Sequence, residues 1–162
     1  MTNASTTAIV AIMNDKPTLE TRALRYLARR EYSRFELEKK LSAHAPSPQL
    51  LIDLLDQLEQ DGYLSAERFV EQAMRARRAR FGSGRIVREL KDKGIEEHLI
   101  AQILPDLKKT DLETALHIWQ KKFGTPPGDL KTRGKQIRFM ISRGFSSDIV
   151  RQVLSQAEKE KI

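Results

Sequence analysis

The residues with the clearest chemical meaning are seven arginines within the segment 62–95. They are Arg68, Arg75, Arg77, Arg78, Arg80, Arg85 and Arg88. A guanidinium group carries a permanent positive charge and can hold a carboxylate or a phosphate through two parallel hydrogen bonds. The same segment contains no cysteine and no histidine. Its chemistry is therefore that of a surface that binds anions, and not that of a reaction centre.

The spacing of these arginines predicts one binding face. Arg68, Arg75 and Arg78 are separated by seven and three residues, which returns them to the same side of a helix. Arg85 and Arg88 lie three residues apart on the next predicted helix. We therefore take all five as candidate partner-binding residues. The alternative for any single arginine is a solvated helix face with local ion pairs.

A second basic segment follows in the C-terminal third of the chain. Residues 121–143 contain seven bases and one acid, Asp129, whereas residues 46–61 contain four acids and no base. The candidate partner-binding residues here are Lys131, Arg133, Lys135 and Arg138. The whole chain has a net charge of +7. This balance predicts a polyanion or an acidic protein surface as the partner.

No residue pattern predicts catalysis. The chain has no cysteine, and its histidines, His44, His98 and His117, show no spacing typical of metal ligands. Gly82-Ser83-Gly84 resembles part of a phosphate-binding loop but lacks the following lysine and the preceding strand. We interpret it as a flexible connector with Ser83 as the N-cap of the next helix. We expect no enzyme activity, no cofactor and no metal.

Some side chains in the basic regions have two possible roles. Arg77 falls at the edge of an apolar stripe, which favours a side chain that extends along the core towards solvent. The alternative is a buried ion pair with Glu89 or Glu67. Trp119 and Phe123 lie one turn apart and could stack on nucleic-acid bases, but their helical spacing favours a place in the core.

Three glycines predict the joints between helices. Gly62, Gly94 and Gly144 each follow a helical pattern, and each is followed by an apolar residue. This is the pattern of a Schellman motif, in which glycine adopts a positive φ and the next residue packs on the last turn. The expected apolar pairs are Leu58 with Tyr63, Leu90 with Ile95, and Met140 with Phe145.

Helix starts are marked by capping residues. Ser33 and Glu36 form a capping box, with Tyr32 and Leu37 as a hydrophobic staple. Thr110 and Glu113 have the spacing of a second box. Together these signals predict nine helices, at about 18–30, 33–43, 47–61, 65–80, 83–93, 96–107, 110–123, 129–143 and 146–158. No segment has the alternation of a strand, so the expected fold class is all-α.

The nine helices fall into three groups of three. The segment KGIEEHLIAQIL at 93–104 resembles RGFSSDIVRQVL at 143–154, which indicates related units. We predict tandem three-helix modules at 18–64, 65–107 and 108–158, in an elongated arrangement. The alternative is one compact nine-helix domain. Residues 1–17 are predicted to be a flexible tail and residues 159–162 a short C-terminal tail, with no signal peptide and no membrane span.

Several of these motifs resemble the RecX family of RecA regulators. The matching pieces are Ser33-x-x-Glu36-Leu37-x-x-Lys40-Leu41, Gly62-Tyr63-Leu64 before Arg68-Phe69, Gly82-x-Gly84-Arg85-Ile86, Glu89-Leu90-x-x-Lys93-Gly94-Ile95 and Arg143-Gly144-Phe145. They cover the chain from about residue 19 to 157 in the family's order. One departure is Ser65-Ala66, where the family usually has acidic or Asn-Asp-like residues before the Arg-Phe pair.

The resemblance implies tandem three-helix repeats and binding to RecA, mainly to RecA filaments on single-stranded DNA. It also implies inhibition of strand exchange, ATP hydrolysis and coprotease activity, by a cytoplasmic, monomeric protein that is not an enzyme. The filament could be bound along its groove or capped at its end. The competing hypothesis is a direct DNA-binding protein that uses helix-turn-helix elements.

Overall fold

The structure is a computed structural model that describes residues 16–160. All regular structure in that range is helical, which confirms the all-α prediction. The helices are α1 (Leu19–Arg29), α2 (Arg34–Leu41), α3 (Pro48–Gln60), α4 (Ala66–Arg77), α5 (Ser83–Asp92), α6 (Glu97–Lys122), α7 (Leu130–Ser142) and α8 (Ser147–Glu160), with a 3-10 turn at Ser42–His44. The predicted tail at 1–17 lies almost wholly outside the described residues, as do 161 and 162.

The described chain divides after Ser65 into two compact units. Unit 1 contains α1, α2 and α3, which bury one apolar core that includes Leu37, Leu41 and Leu55. Its surface carries the ion pairs of Arg34 with Asp56 and Glu59, at 2.7 and 3.0 Å.

Unit 2 contains α4 to α8 and has two apolar cores. The first packs α4, α5 and the beginning of α6, with Ile86 and Leu90 nearly inaccessible to solvent. The second packs the end of α6 with α7 and α8 around Trp119 and Met140. Helix α6 contributes to both cores, so it is the element that joins the two halves of this unit.

The three glycine joints are confirmed. Gly62, Gly94 and Gly144 have φ of 81°, 76° and 96°. In each, the N–H of the residue after glycine donates to the carbonyl five residues earlier, at 2.9, 3.0 and 3.4 Å respectively. The glycine N–H donates to the carbonyl three residues earlier, which completes the Schellman pattern. The expected burial holds for Ile95 and Phe145, whereas Tyr63 stays 55% exposed.

The first capping box is also confirmed. The N–H of Glu36 donates to Oγ of Ser33 and the N–H of Ser33 donates to Oε2 of Glu36, both at 3.1 Å. The staple residues Tyr32 and Leu37 are both buried. Trp119 and Phe123 belong to the second core of unit 2, as their spacing indicated.

The second capping box is wrong, because α6 is continuous where two helices were predicted. The hydroxyl of Thr110 does not accept a capping bond and instead donates to the carbonyl of Asp106, one turn earlier, at 3.1 Å. Pro105 lies inside the helix and supplies no N–H for the turn before it. Packing of α6 against two cores outweighs these local stop signals. The boundary expected between 107 and 108 therefore falls within a helix, and the division into three modules stays a prediction.

We expect Gly94→Val to destabilise the protein. A β-branched residue at a φ of 76° costs about 2 kcal/mol or more, because its Cβ and branched methyls meet the neighbouring carbonyls. The measurement is the free energy of unfolding in denaturant. Gly128→Val is the control, since Gly128 is not among the glycines with positive φ and a Cβ there meets no atom within 4 Å. Equal stability of the two variants would contradict the assigned joint.

Candidate partner-binding surface

A buried carboxylate organises the arginine-rich part of unit 2. Asp111 lies in the middle of α6 and is 4% exposed. Its Oδ1 accepts the backbone N–H of Ser83 at 3.0 Å, and its Oδ2 accepts the Ser83 hydroxyl at 2.5 Å. Helix α5 begins at Ser83, and its N-cap, Gly82, has no side chain with which to cap it. A carboxylate from another helix therefore caps α5, where a negative charge also favours the helix dipole.

Arg78 belongs to the same network, which corrects the predicted binding face. Its Nη1 donates to Oδ1 of Asp111 at 2.8 Å, and its Nη2 donates to the carbonyl of Leu107 at 2.6 Å and to Oγ1 of Thr110 at 2.7 Å. The side chain is only 20% exposed. Helical spacing placed Arg78 with Arg68 and Arg75, but α4 ends at Arg77. The Arg78 guanidinium therefore binds groups within unit 2. It does not share an exposed face with Arg68 and Arg75.

The connector at Gly82-Ser83-Gly84 is buried in its first two residues and is not a flexible link. The N–H of Gly82 donates to the carbonyl of Arg143 at 2.7 Å, and that of Gly84 donates to the carbonyl of Gly144 at 3.0 Å. A Cβ on Gly82 would lie 2.7 Å from the carbonyl carbon of Gly144. Glycine is thus required where the α4–α5 connector touches the α7–α8 connector. Gly82 occupies the N-cap position that was predicted for Ser83.

Four arginines surround the buried ring of Phe81. Their guanidinium carbons lie 4.2 to 5.5 Å from the ring centroid, a distance at which a cation is attracted to the aromatic face. They are Arg77, Arg80, Arg85 and Arg143. We call this group the Phe81 cluster. It brings side chains from three separate segments of the chain to one place.

Two members of the Phe81 cluster share a carboxylate. Nε of Arg77 lies 3.1 Å from Oε2 of Glu89, and Nε of Arg85 lies 3.4 Å from Oε1. Arg77 is 43% exposed. The Glu89 partner that we gave as the alternative for Arg77 is therefore present, but the pair lies at the surface rather than in the interior.

The remaining candidates on α4 and α5 reach solvent. Arg68 and Arg75 are exposed on α4, and Arg88 is exposed on α5. Arg85 also donates to the carbonyl of Ser142 at 3.3 Å. Arg85 and Arg88 line a cleft of about 730 Å³ between α5 and the α7–α8 connector.

The basic residues of α7 are mostly exposed as well. Lys131, Lys135 and Arg138 face solvent, whereas Arg133 pairs with Glu158 of α8 at 3.1 Å. Asp129 is the N-cap of this helix and accepts the N–H of Thr132 at 2.7 Å. That backbone hydrogen bond lowers the pKa of the Asp129 carboxyl below its ordinary value. The one acid of this basic segment therefore serves the helix start.

The structural importance of Asp111 was missed from the sequence. A signal was present, since Leu107, Asp111 and Ala115 are spaced four residues apart and all lie on the buried side of α6. An acid within an apolar stripe predicts a buried pair. The assumed helix break at 108–109 concealed that stripe.

The described residues 16–160 contain no group of three or more histidine, cysteine or acidic side chains placed to hold a metal ion. Within the same range, no helix is both long and apolar enough to span a bilayer. Every buried side-chain nitrogen and oxygen there has a hydrogen-bond partner. Hydrogen bonds within the protein therefore satisfy all the buried polar side chains of this range.

These features define an all-α protein with three-helix packing and basic side chains displayed on its helices. A family model described as the third three-helix domain of RecX matches residues 109–154. Over 143 residues the chain is 46% identical to Regulatory protein RecX of Leptothrix cholodnii, covering 88% of this chain and 91% of that protein. Over 142 residues it is 41% identical to Regulatory protein RecX of Ralstonia pickettii, with 88% and 89% covered. The chain belongs to the RecX family of regulatory proteins.

Solved structures agree on the fold. The crystal structure of RecX from Lactobacillus salivarius superposes with a TM-score of 0.73 at 18% identity, covering 86% of this chain and 94% of that one. A second crystal structure of regulatory protein RecX gives a TM-score of 0.71 at 19% identity, with 94% and 79% covered.

We expect Asp111→Ala to destabilise unit 2 by roughly 3 kcal/mol. The change leaves the Arg78 guanidinium without its carboxylate and α5 without its cap, and removing one partner of a buried pair costs about 3–5 kcal/mol. We expect a value at the low end of this range because the Arg78 side chain is 20% exposed to solvent. Thermal and denaturant unfolding provide the measurement. Glu113→Ala, an exposed acid on the same helix, is the control and should change stability by about 0.5 kcal/mol or less. Similar effects of both changes would refute the role given to Asp111.

Proposed function

We propose that this chain regulates RecA by binding RecA and RecA filaments on single-stranded DNA, with inhibition of strand exchange, ATP hydrolysis and coprotease activity. The observation that carries the proposal is membership of a family of regulatory proteins, joined to a set of basic side chains exposed on the helices of unit 2.

The chemistry of the exposed residues supports an anionic partner. Arg75 and Arg88 point to solvent from α4 and α5, and Lys131, Lys135 and Arg138 do so from α7. Side chains held on helices bind a partner with less loss of conformational freedom than side chains on loops. Basic surfaces raise the rate and the specificity of association with acidic ones. Carboxylates of RecA and phosphates of the bound strand both carry the negative charge that such a surface binds.

Two modes of inhibition are compatible with this surface, and they differ in stoichiometry. A protein that lies along the filament groove contacts successive RecA protomers, so inhibition grows with occupancy. A protein that caps the end of the filament blocks growth at a small number of sites. Both modes act through binding alone.

We expect the purified protein to lower DNA-dependent ATP hydrolysis by RecA at well below one copy per RecA protomer. The reason is that bridging several protomers or blocking filament growth affects more RecA than is directly bound. The measurement is steady-state hydrolysis at fixed DNA and salt, over a titration of this protein. Unchanged hydrolysis and unchanged filament disassembly at saturating protein would refute the regulatory function.

We expect Arg68→Glu combined with Arg75→Glu to weaken filament binding by about tenfold. A single exposed contact contributes about 0.2–1 kcal/mol, and two reversals also place negative charge against an anionic partner. Arg78 is left unchanged because it holds Asp111. The measurement is filament binding alongside thermal unfolding.

The control for this variant is Lys108→Glu with Lys109→Glu, which makes the same change in net charge at two exposed positions on α6. A folded Arg68/Arg75 variant that binds as tightly as the unmodified protein would move the binding surface elsewhere, first to Lys131, Arg133, Lys135 and Arg138. Equal weakening by the control would show that net charge alone governs binding.

A further inference from the structure

A second cleft of unit 2 is lined by cations and contains no carboxylate. It has a volume of about 420 Å³ and lies where the segment after α4 meets the ends of α6 and α7. Its charged and aromatic lining residues are Arg80, His117, Lys121, Lys122, Phe139 and Arg143. We call it the basic cleft. None of the binding residues predicted from the sequence lines it.

The cations of the basic cleft differ from the other basic residues of the unit in their partners. Arg78 is paired with Asp111, and Arg77 and Arg85 share Glu89. Among the described residues, by contrast, no carboxylate forms an ion pair with the two arginines or the two lysines of the cleft. Three of these four side chains, Arg80, Lys122 and Arg143, lie instead over aromatic rings. Lys122 lies 5.3 Å and Arg143 5.0 Å from the centroid of Phe139.

The two arginines of the cleft are positioned by further contacts. Arg80 and Arg143 are both stacked on the buried Phe81 ring, at 5.5 and 5.3 Å. The carbonyl of Arg143 accepts the N–H of Gly82 in the glycine contact described above. These contacts hold the two arginines near one another without a neutralising acid. Like charges repel, and a bound anion would relieve that repulsion.

Helix ends account for only part of this charge. Lys121 and Lys122 lie in the last turn of α6, and Arg143 follows α7. Each helix C-terminus carries about half an elementary negative charge. Two such ends offset about one cation, whereas two arginines and two lysines line the cleft. An excess of positive charge remains for a ligand.

We propose that the basic cleft is a phosphate-binding site that holds the backbone of single-stranded DNA, an inference that rests on the proposed function for the presence of that strand. Guanidinium forks and lysine ammonium groups are the side chains that bind phosphate. A concave site admits the phosphates and sugars of a flexible strand, while a stiff duplex presents a convex surface to it. The partly buried Phe139 offers the apolar floor that sites for single strands combine with positive charge.

The test is direct binding of a fluorescent oligothymidine, followed by anisotropy in the absence of RecA. The variant is Lys121→Gln with Lys122→Gln, and the control is Lys108→Gln with Lys109→Gln, an exposed pair of lysines on the same helix. We expect the dissociation constant to rise about tenfold in the variant and to change little in the control. The slope of log K against log salt should fall by about 0.7 for each lost phosphate contact. Matching unfolding temperatures would show that both proteins are folded.

Each further outcome bears on the proposal. Equal loss in variant and control, or loss in neither, overturns it. Displacement of the strand by tripolyphosphate as effectively as by unlabelled oligothymidine, at equal phosphate, overturns the assignment to a nucleic-acid strand. A variant that binds DNA normally but no longer inhibits RecA shows that the cleft meets protein carboxylates, which also overturns it. If the unmodified protein leaves RecA hydrolysis unchanged while the variant loses DNA binding, the proposed function fails and the phosphate site stands.

Discussion

The carboxylate of Asp111 is the constraint on which the rest of unit 2 depends. It is buried, so it must be paired, and its partners are Arg78, the residue after α4, and Ser83, the first residue of α5. A single side chain of α6 thereby links the segment after α4 to the start of α5. Once α5 starts at Ser83, the preceding glycine is pressed against Gly144 and no larger residue fits. The Phe81 ring is then held at the centre of the arginine-rich region. One internal ion pair thus removes Arg78 from the exposed charge of this region.

This internal pairing divides the arginines into two groups. Arg78 is paired with Asp111, and Arg77 and Arg85 share the single negative charge of Glu89. Arg75 and Arg88 are exposed on helix surfaces, and Arg80 and Arg143 gather over Phe81. Net charge alone therefore overstates the binding capacity of the segment 62–95. A partner can bind only the cations that are not already paired with a carboxylate of this protein. Contacts between residues far apart in the chain determine which cations those are.

Local signals in the sequence were sufficient for most of the fold. The caps at Ser33 and Gly94 depend on residues within five positions of one another, so their hydrogen bonds could be predicted. The continuity of α6 could not, because Thr110 and Pro105 both indicate a break that only packing against two cores overrides. Arg78 was misplaced for the same reason, since its partner Asp111 is 33 residues away. The basic cleft was missed because its lysines and arginines come from three segments.

The contact between Gly82 and Gly144 also determines where two of the surface arginines lie. Gly82 and Gly144 allow two connectors to touch, and two arginines lie beside this contact, Arg85 in the first turn of α5 and Arg143 after α7. The guanidinium carbons of these two arginines lie 4.2 and 5.3 Å from the centroid of one aromatic connector residue, Phe81. Arg85 opens onto a cleft that also contains Glu89, while Arg143 opens onto one without any acid. Two clefts built from the same contact therefore differ in net charge, and an anion such as phosphate is attracted more strongly to the second.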